Sequence, residues 1–118
     1  MVIRRGDVFL AKLGSEEEPA AGSEQKGARP VIVVSRDAIN ASSPVVIVVP
    51  VTDRANKKKI YPSQVVLKAG DGGLKKDSVA LGEQVRAIST AKLVEQWGHL
   101  APPTMVAIGA ALKAALDL

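Results

Sequence analysis

The stretch GARPVIVVS, residues 27–35, decides the fold of this 118-residue chain, because a proline is followed there by four β-branched residues. The run from Val31 to Val34 is short and continuously apolar, which predicts a strand over residues 30–35 that is buried on both faces. Pro30 has no N–H to donate to a ladder, so we expect it to open the strand. Arg29 is then expected at the mouth of a buried strand.

Similar runs elsewhere in the chain predict an antiparallel sheet. Strands are expected over residues 8–13, 44–52, 64–68, 78–82 and 83–88, with a bend or bulge at Gly82. Residues 37–41 predict one helical turn. The sequence therefore predicts one mostly β domain of the α+β class over residues 1–118, close to a small SH3-like antiparallel barrel.

Two segments near the carboxyl end predict helices. Ser89 is a typical N-cap, which predicts a short helix that reaches Gln96 and is closed by Gly98. Pro102 and Pro103 suit the start of a second helix. Its apolar residues recur at helical spacing and predict one buried stripe of Met105, Ile108, Leu112 and Leu116.

The composition limits the chemistry. The chain has no cysteine, which excludes disulfides and thiolate nucleophiles, and its only histidine, His99, has no obvious acidic neighbour in the sequence. The glycine-rich residues 70–73 lack the Gly-Lys-Ser/Thr ending of a phosphate-binding loop. We therefore expect neither a metal site nor a cofactor.

The net charge and the length of the apolar runs indicate which partners and which compartment to expect for the protein. The net charge of +4 permits contact with a polyanion. The longest apolar run, residues 44–51, is too short to span a bilayer. No membrane association is expected, and the sequence predicts a cytoplasmic protein.

Six blocks of the sequence together resemble a known family, the MazF/PemK toxin endoribonucleases. They occur in the order RGDV (5–8), GSEQ (22–25), GARPVIVVS (27–35), VPVT (49–52), DSVAL (77–81) and EQVRAI (83–88). The resemblance implies a homodimer of SH3-like barrels that cleaves single-stranded RNA at short sequences without a metal ion. It also implies a cyclic phosphate and a 5′-hydroxyl end as products, and inhibition by a cognate MazE-like antitoxin.

The resemblance also implies the catalytic residues. Arg29 and Thr52 stand at the positions of the usual catalytic pair, and Glu24 at that of a glutamate used by some members. The guanidinium of Arg29 matches phosphate oxygens bidentately, and the hydroxyl of Thr52 can donate to a non-bridging oxygen. Arg29 is a poor general base, which makes Glu24 either the base or a residue that positions the substrate.

Further residues are candidates for binding the RNA. Lys57, Lys58 and Lys59 follow Arg54 in a basic loop suited to phosphates, or form a solvated charge run. Gln84 and Arg86 alternate and are expected on one strand face. Candidates for hydrogen bonds with exposed bases are Ser23, Gln25, Asn40, Glu83 and Gln84. Relative to the family, the acidic residues 16–18 lengthen the first loop.

Two alternatives to a nuclease remain open at this point. The same barrel could carry a CcdB-like toxin, which binds DNA gyrase without being an enzyme. An inactive relative that acts only as an antitoxin decoy is the other alternative. The combination of Arg29, Glu24 and Thr52 favours the nuclease, because a docking protein has no use for it.

Overall fold

The computed structural model describes residues 1–13 and 27–118 of the chain. This part forms a mostly antiparallel sheet followed by a carboxyl-terminal helix. The strands are β1 (Asp7–Lys12), β2 (Ala28–Val33), β3 (Val45–Asp53), β4 (Gln64–Leu67), β5 (Ser78–Leu81), β6 (Arg86–Ser89) and β7 (Leu93–His99). The helices are α1 (Asp37–Ser42) and α2 (Pro102–Leu116).

The order of the strands is β4-β5-β3-β2-β1-β7, and β6 also pairs with β3. The long strand β3 changes partners along its length: residues from Val45 to Val48 pair with β6, and residues from Val51 to Asp53 pair with β5. Between these segments, β3 pairs with β2 in a register that joins Val31 to Pro50. The end of β3 is therefore held between β2 and β5.

Strand β2 is buried on both faces, as its sequence predicts. Val31 and Val33 belong to one core cluster with Phe9, whereas Ile32 belongs to the other cluster with Met105 and Ile108 of α2. Because successive side chains of a strand point to opposite faces, the β-branched run supplies both cores at once.

The position of Pro30 differs from the expectation. The strand begins at Ala28, and Pro30 is its third residue, opposite Leu10 of β1. Pairing with β3 begins only at Val31. The missing N–H of Pro30 therefore limits only the ladder with β3, and the pairing with β1 extends past it.

The expected helix from Ser89 to Gln96 is wrong. Ser89 does cap a turn, because its Oγ accepts from the N–H of Ala91, 3.2 Å away, but this turn of 3₁₀ helix covers only Thr90–Lys92. The chain then continues as β7, which pairs with β1. The edge of β1 offers this segment a ladder of hydrogen bonds and burial for Leu93, and this tertiary pairing outweighs the local capping signal.

Two smaller differences concern Gly82 and α2. Of the bend or bulge expected at Gly82, the structure has the bend: Gly82 opens a 3₁₀ turn, Gly82–Gln84, which separates β5 from β6. The buried face of α2 consists of Met105, Ile108 and Ala111, with Leu112 partly buried, whereas Leu116 is 53% exposed. Among the described residues, the model contains no helix with the length and apolar character needed to traverse a bilayer.

Candidate functional site

Arg29 and Thr52 are brought together by the register of β2 and β3. The pair Val31–Pro50 is the last of the shared register at this end, and Arg29 and Thr52 each lie two residues beyond it. Nη2 of Arg29 donates to the carbonyl oxygen of Val51 over 3.4 Å. This contact places the guanidinium of Arg29 next to the residue that precedes Thr52, although the two candidates are 23 positions apart in the sequence.

The guanidinium of Arg29 is partly withdrawn from water. Desolvation by burial lowers the pKa of Arg29 from its ordinary value, while the group stays cationic because guanidinium pKa values are so high. Its Nε atom is buried and has no hydrogen-bond partner among residues 1–13 and 27–118. A half-desolvated cation of this kind interacts more strongly with an anion than a surface arginine does.

The hydroxyl of Thr52 is oriented by Asn56. Nδ2 of Asn56 donates to Oγ1 of Thr52 over 3.2 Å, so the hydroxyl oxygen accepts one hydrogen bond, and within the described part of the chain its proton has no acceptor. Asn56 closes a 3₁₀ turn, Arg54–Asn56, directly after β3. Asn56 was not among the residues predicted from the sequence, although its position four residues after a strand-end threonine is visible there.

Asp53 fixes that turn. Its Oδ1 accepts from the N–H of Ala55 at 2.9 Å, and its Oδ2 forms an ion pair with Nζ of Lys76 at 3.4 Å. The hydrogen bond with the N–H of Ala55 and the contact with Lys76 hold the pKa of Asp53 below its ordinary value, against the opposing effect of desolvation. Asp53 therefore remains a carboxylate that supports the position of Asn56.

A cleft of about 230 Å³ opens beside Thr52. It lies between the ends of β2 and β3, the connection from β4 to β5, and β7. Its walls combine apolar, hydroxyl, carboxylate and ammonium groups. They are formed by Pro30, Val51, Thr52, Asp53, Leu74, Lys75, Lys76, Ser78 and Trp97.

The basic loop is organised around Tyr61. Nη1 of Arg54 donates to the carbonyl oxygen of Lys57 over 2.7 Å, and Nζ of Lys57 and of Lys59 lie 5.8 and 5.3 Å from the centre of the Tyr61 ring. Lys58 is exposed. The loop therefore presents several cations in a fixed arrangement next to the end of β3.

Glu83 is engaged within the chain. Its carboxylate accepts from Oγ of Ser63 at 3.0 Å and from Nε2 of Gln64 at 2.8 Å. Desolvation opposes ionisation, but hydrogen bonds from its own backbone, Gln64 and Ser63, together with the charge of Lys57, lower the pKa of Glu83. In this geometry both carboxylate oxygens brace β4 against the turn after β5.

Gln84 and Arg86 do not share a strand face as expected. Gln84 ends the 3₁₀ turn and Arg86 begins β6, opposite Val48 of β3. Their side chains do not alternate as in a strand, because the backbone turns at Gly82 and becomes extended again only after Gln84. Both side chains are exposed.

Asn40 lies apart from Arg29. It is buried in α1, where its Nδ2 donates to the carbonyl oxygen of Ser35 over 3.0 Å, beyond the carboxyl end of β2. Arg29 is at the opposite end of the same strand. The remaining predicted residues, Ser23, Glu24 and Gln25, and the acidic residues 16–18 lie outside the described residues.

His99 does have an acidic partner, contrary to the sequence analysis. Its Nδ1 lies 2.7 Å from Oδ1 of Asp7, which is fully buried, and Oδ2 of Asp7 accepts from the N–H of Arg4 at 2.8 Å. The pairing of β1 with β7 brings Asp7 opposite His99. The two residues are 92 positions apart, so only the fold reveals the contact.

Comparison with known proteins gives a consistent result. Residues 4–116 match the family described as PemK-like, MazF-like toxin of type II toxin-antitoxin system. The chain is 43% identical over 117 residues to an endoribonuclease MazF of Staphylococcus epidermidis, which covers 99% of the chain and 93% of that protein.

Solved structures with a similar fold include two of these proteins. One is an endoribonuclease in complex with its cognate antitoxin from a mycobacterial species, with a TM-score of 0.79 and 26% identity over 98% of this chain and 96% of that one. The other is MazF from Deinococcus radiodurans, with a TM-score of 0.72 and 27% identity over 100% and 99% of the two chains.

Proposed function

The chain belongs to the family of PemK-like and MazF-like toxins of type II toxin–antitoxin systems, and we propose that it cleaves single-stranded RNA at short specific sequences without a metal ion. It is a toxin endoribonuclease, and its 43% identity to an endoribonuclease over nearly its full length gives no support to the CcdB-like alternative that binds gyrase. The single observation that carries the proposed mechanism is the contact of the Arg29 guanidinium with the carbonyl oxygen of Val51, the residue next to Thr52.

The proposed reaction uses the substrate's own nucleophile. The 2′-oxygen forms a bond to the adjacent phosphorus as the bond to the 5′-oxygen breaks, which leaves a 2′,3′-cyclic phosphate and a 5′-hydroxyl. The proton of the 2′-hydroxyl goes to a base, and the departing 5′-oxygen gains a proton. No water has to be activated, so the enzyme mainly aligns the groups and stabilises charge.

Arg29 and Thr52 have the properties this reaction needs. We assign Arg29 to the non-bridging phosphate oxygens, where its partly desolvated guanidinium offsets the charge that develops in the transition state. Thr52 donates its free hydroxyl proton to the same phosphate, because its oxygen is already held by Asn56. In this assignment Asn56 is a positioning residue, since it acts through Thr52.

Glu24 is proposed either as the general base for the 2′-hydroxyl or as a group that positions the substrate. A carboxylate accepts a proton far more readily than a guanidinium, whose pKa lies above about 12. A pH–rate profile of Glu24→Gln separates the two roles, because loss of the acidic limb of the profile identifies the base.

The basic loop and two exposed polar residues are proposed to bind the RNA around the scissile phosphate. Lys57, Lys58 and Lys59 suit phosphate contacts, because they present adjacent cations beside the end of β3. Gln84 and Arg86 are exposed and free to contact bases. Ser23 and Gln25 remain proposals from the sequence, whereas the internal hydrogen bonds of Asn40 and Glu83 favour structural roles.

The partners are proposed from the family. We expect a homodimer, a cognate MazE-like antitoxin, and action in the cytoplasm as a single domain. Since the site combines Arg29 with a basic loop, an acidic segment of the antitoxin is expected to compete directly with RNA for it. Noncompetitive inhibition would argue against a shared site.

The test is cleavage of a random-sequence single-stranded RNA pool by the purified protein in excess EDTA. We expect fragments with 5′-hydroxyl ends, and resistance of a substrate that carries a 2′-deoxy sugar at the mapped position. Arg29→Ala, purified in parallel, controls for contaminating nucleases. Intact RNA across the pool would overturn the proposal, and cleavage only with added Mg²⁺ would overturn its metal-free mechanism.

A further inference from the structure

Trp97 is the only tryptophan of the chain, and it forms one wall of the cleft beside Thr52. It is partly buried, packed against the core cluster that includes Val8, Ile32 and Leu100. Its Nε1 donates to Oε1 of Glu95 over 3.1 Å. The indole is therefore held in one orientation by packing and by a hydrogen bond, while part of it faces the cleft.

The glycine-rich residues 70–73 place a lysine over this indole. A Cβ atom on Gly73 would lie 2.3 Å from the carbonyl oxygen of Trp97, and one on Gly98 would lie 2.6 Å from the carbonyl carbon of Gly72. The backbones of Gly72–Gly73 and of Trp97–Gly98 thus approach more closely than a side chain at either glycine would allow. As a result, Nζ of Lys75 lies 4.7 Å from the centre of the Trp97 ring.

The cleft is small and is bordered by two cations. Its volume of about 230 Å³ is below the roughly 300–1,000 Å³ typical of pockets for drug-sized ligands. Two lysines border it: Lys76 is paired with Asp53 at 3.4 Å, whereas Lys75 forms no ion pair with any residue that the structure describes. Lys75 is exposed, and its cation–π contact is weak enough to exchange for a phosphate.

We propose that this cleft is a base-binding subsite, in which one unstacked base of the RNA stacks on Trp97 and Lys75 contacts the phosphate beside that base. The inference rests on the proposed cleavage of single-stranded RNA. Thr52 contributes to the wall of the same cleft, so we expect a nucleotide bound there to be close to the scissile phosphate. Single strands offer unstacked bases, and an aromatic ring binds their faces whereas polar side chains read their edges.

The first test compares cleavage kinetics of Trp97→Leu, Trp97→Phe and the wild type on the mapped sequence. Leucine keeps an apolar side chain against the core but removes the stacking surface, so KM rises about tenfold while kcat is unchanged. Phenylalanine keeps a ring and restores most of the affinity. A purely structural role predicts instead that both variants lose kcat and thermal stability together.

The second test uses Lys75→Gln, with Lys68→Gln as the matched control. Both lysines are exposed and lie on the connection that leads from β4 to β5, but only Lys75 borders the cleft. Loss of a phosphate contact lowers the slope of log KM against log salt by about 1 for Lys75→Gln. The control keeps the wild-type slope, and equal slopes in both variants would overturn the role of Lys75.

The third test reads the subsite directly in the wild-type protein. Because Trp97 is the sole tryptophan, its emission reports on this cleft alone. A 2′-O-methyl oligonucleotide of the mapped sequence cannot be cleaved and is expected to quench the emission, whereas the same oligonucleotide with an abasic position next to the cleaved bond quenches it far less.

The outcomes separate this inference from the proposed function. If the wild type cleaves no RNA, both fail. If it cleaves RNA but Trp97→Leu keeps the wild-type KM, or the oligonucleotide inhibits without quenching, the subsite alone is overturned. It is likewise overturned if Trp97→Leu weakens inhibition by the antitoxin and leaves RNA cleavage unchanged, because the cleft then binds protein.

Discussion

Nη2 of Arg29 lies 3.4 Å from the carbonyl oxygen of Val51, the residue that precedes Thr52. This contact joins the beginning of β2 to the end of β3 just past the last pair of their shared register. It is a long hydrogen bond, and among residues 1–13 and 27–118 it is the one side-chain hydrogen bond of this guanidinium, so the partly exposed group has donor capacity left for an anion. Five predictions follow from this site and from the contacts that surround it.

Arg29→Ala is expected to lower kcat by about 10²–10³-fold or more, because the transition state loses its principal cationic donor. Arg29→Lys keeps the charge without the planar fork and is expected to recover only part of the rate. Cleavage of a defined substrate measures both, and thermal unfolding checks the fold. Full activity of Arg29→Ala would show that the chemistry resides elsewhere.

Thr52→Val, which keeps the shape and removes the hydroxyl, is expected to lower kcat by about tenfold to a hundredfold. Thr90→Val is the matched control, since Thr90 bonds through its backbone to Pro44 near the opposite end of β3. Single-turnover kinetics compare the two. Equal rates for the two variants would remove Thr52 from the mechanism.

His99→Ala is expected to destabilise the protein by about 1–3 kcal/mol, because it deprives the buried carboxylate of Asp7 of a hydrogen-bond partner. His99→Asn retains a donor near Nδ1 and should recover part of this stability. Urea unfolding measures the loss, while kcat stays at the wild-type value. A selective loss of kcat would instead give His99 a role in catalysis.

Acid is expected to destabilise the wild type partly through Glu83. Its pKa is lower in the folded protein than in the unfolded chain, so its contribution is complete above the ordinary glutamate pKa of about 4.3 and is lost as the pH falls further. Glu83→Gln should therefore show a shallower loss of stability across this range. The midpoint of urea unfolding is measured for both proteins in a series of buffers from pH 6 downwards. Parallel curves of midpoint against pH would contradict the assignment.

Gly73→Ala is expected to cost about 3 kcal/mol, from a positive φ of 79° and from a Cβ that would meet the carbonyl oxygen of Trp97. Gly70→Ala is the control, because its φ of 98° is also positive but its Cβ would have no neighbour within 4 Å, so only about 1 kcal/mol of strain is expected. Thermal unfolding measures the difference, and equal losses would show that the close approach to β7 is unimportant.

The pattern of apolar residues was sufficient to predict the elements whose buried face follows their own periodicity. The β-branched run after Pro30 predicts a strand buried on both faces, and the apolar spacing after Pro102 predicts α2, because each side chain there follows the period of its own element. Local pattern was misleading for residues 93–99. The cap at Ser89 is real, but pairing with the edge of β1 decided the conformation that follows it.

By itself, the sequence determined the class of fold and the family, because strand periodicity and six ordered blocks of residues are properties of the chain as written. The catalytic pair of Arg29 and Thr52 is a proposal that the sequence also supplied. Only the tertiary structure decided which distant residues meet. The contact of His99 with Asp7 depends on the register of β1 and β7, and the place of Trp97 on the cleft that Thr52 borders depends on the contact between two glycine-lined backbones. Such contacts follow from packing among elements far apart in sequence, which no local period records.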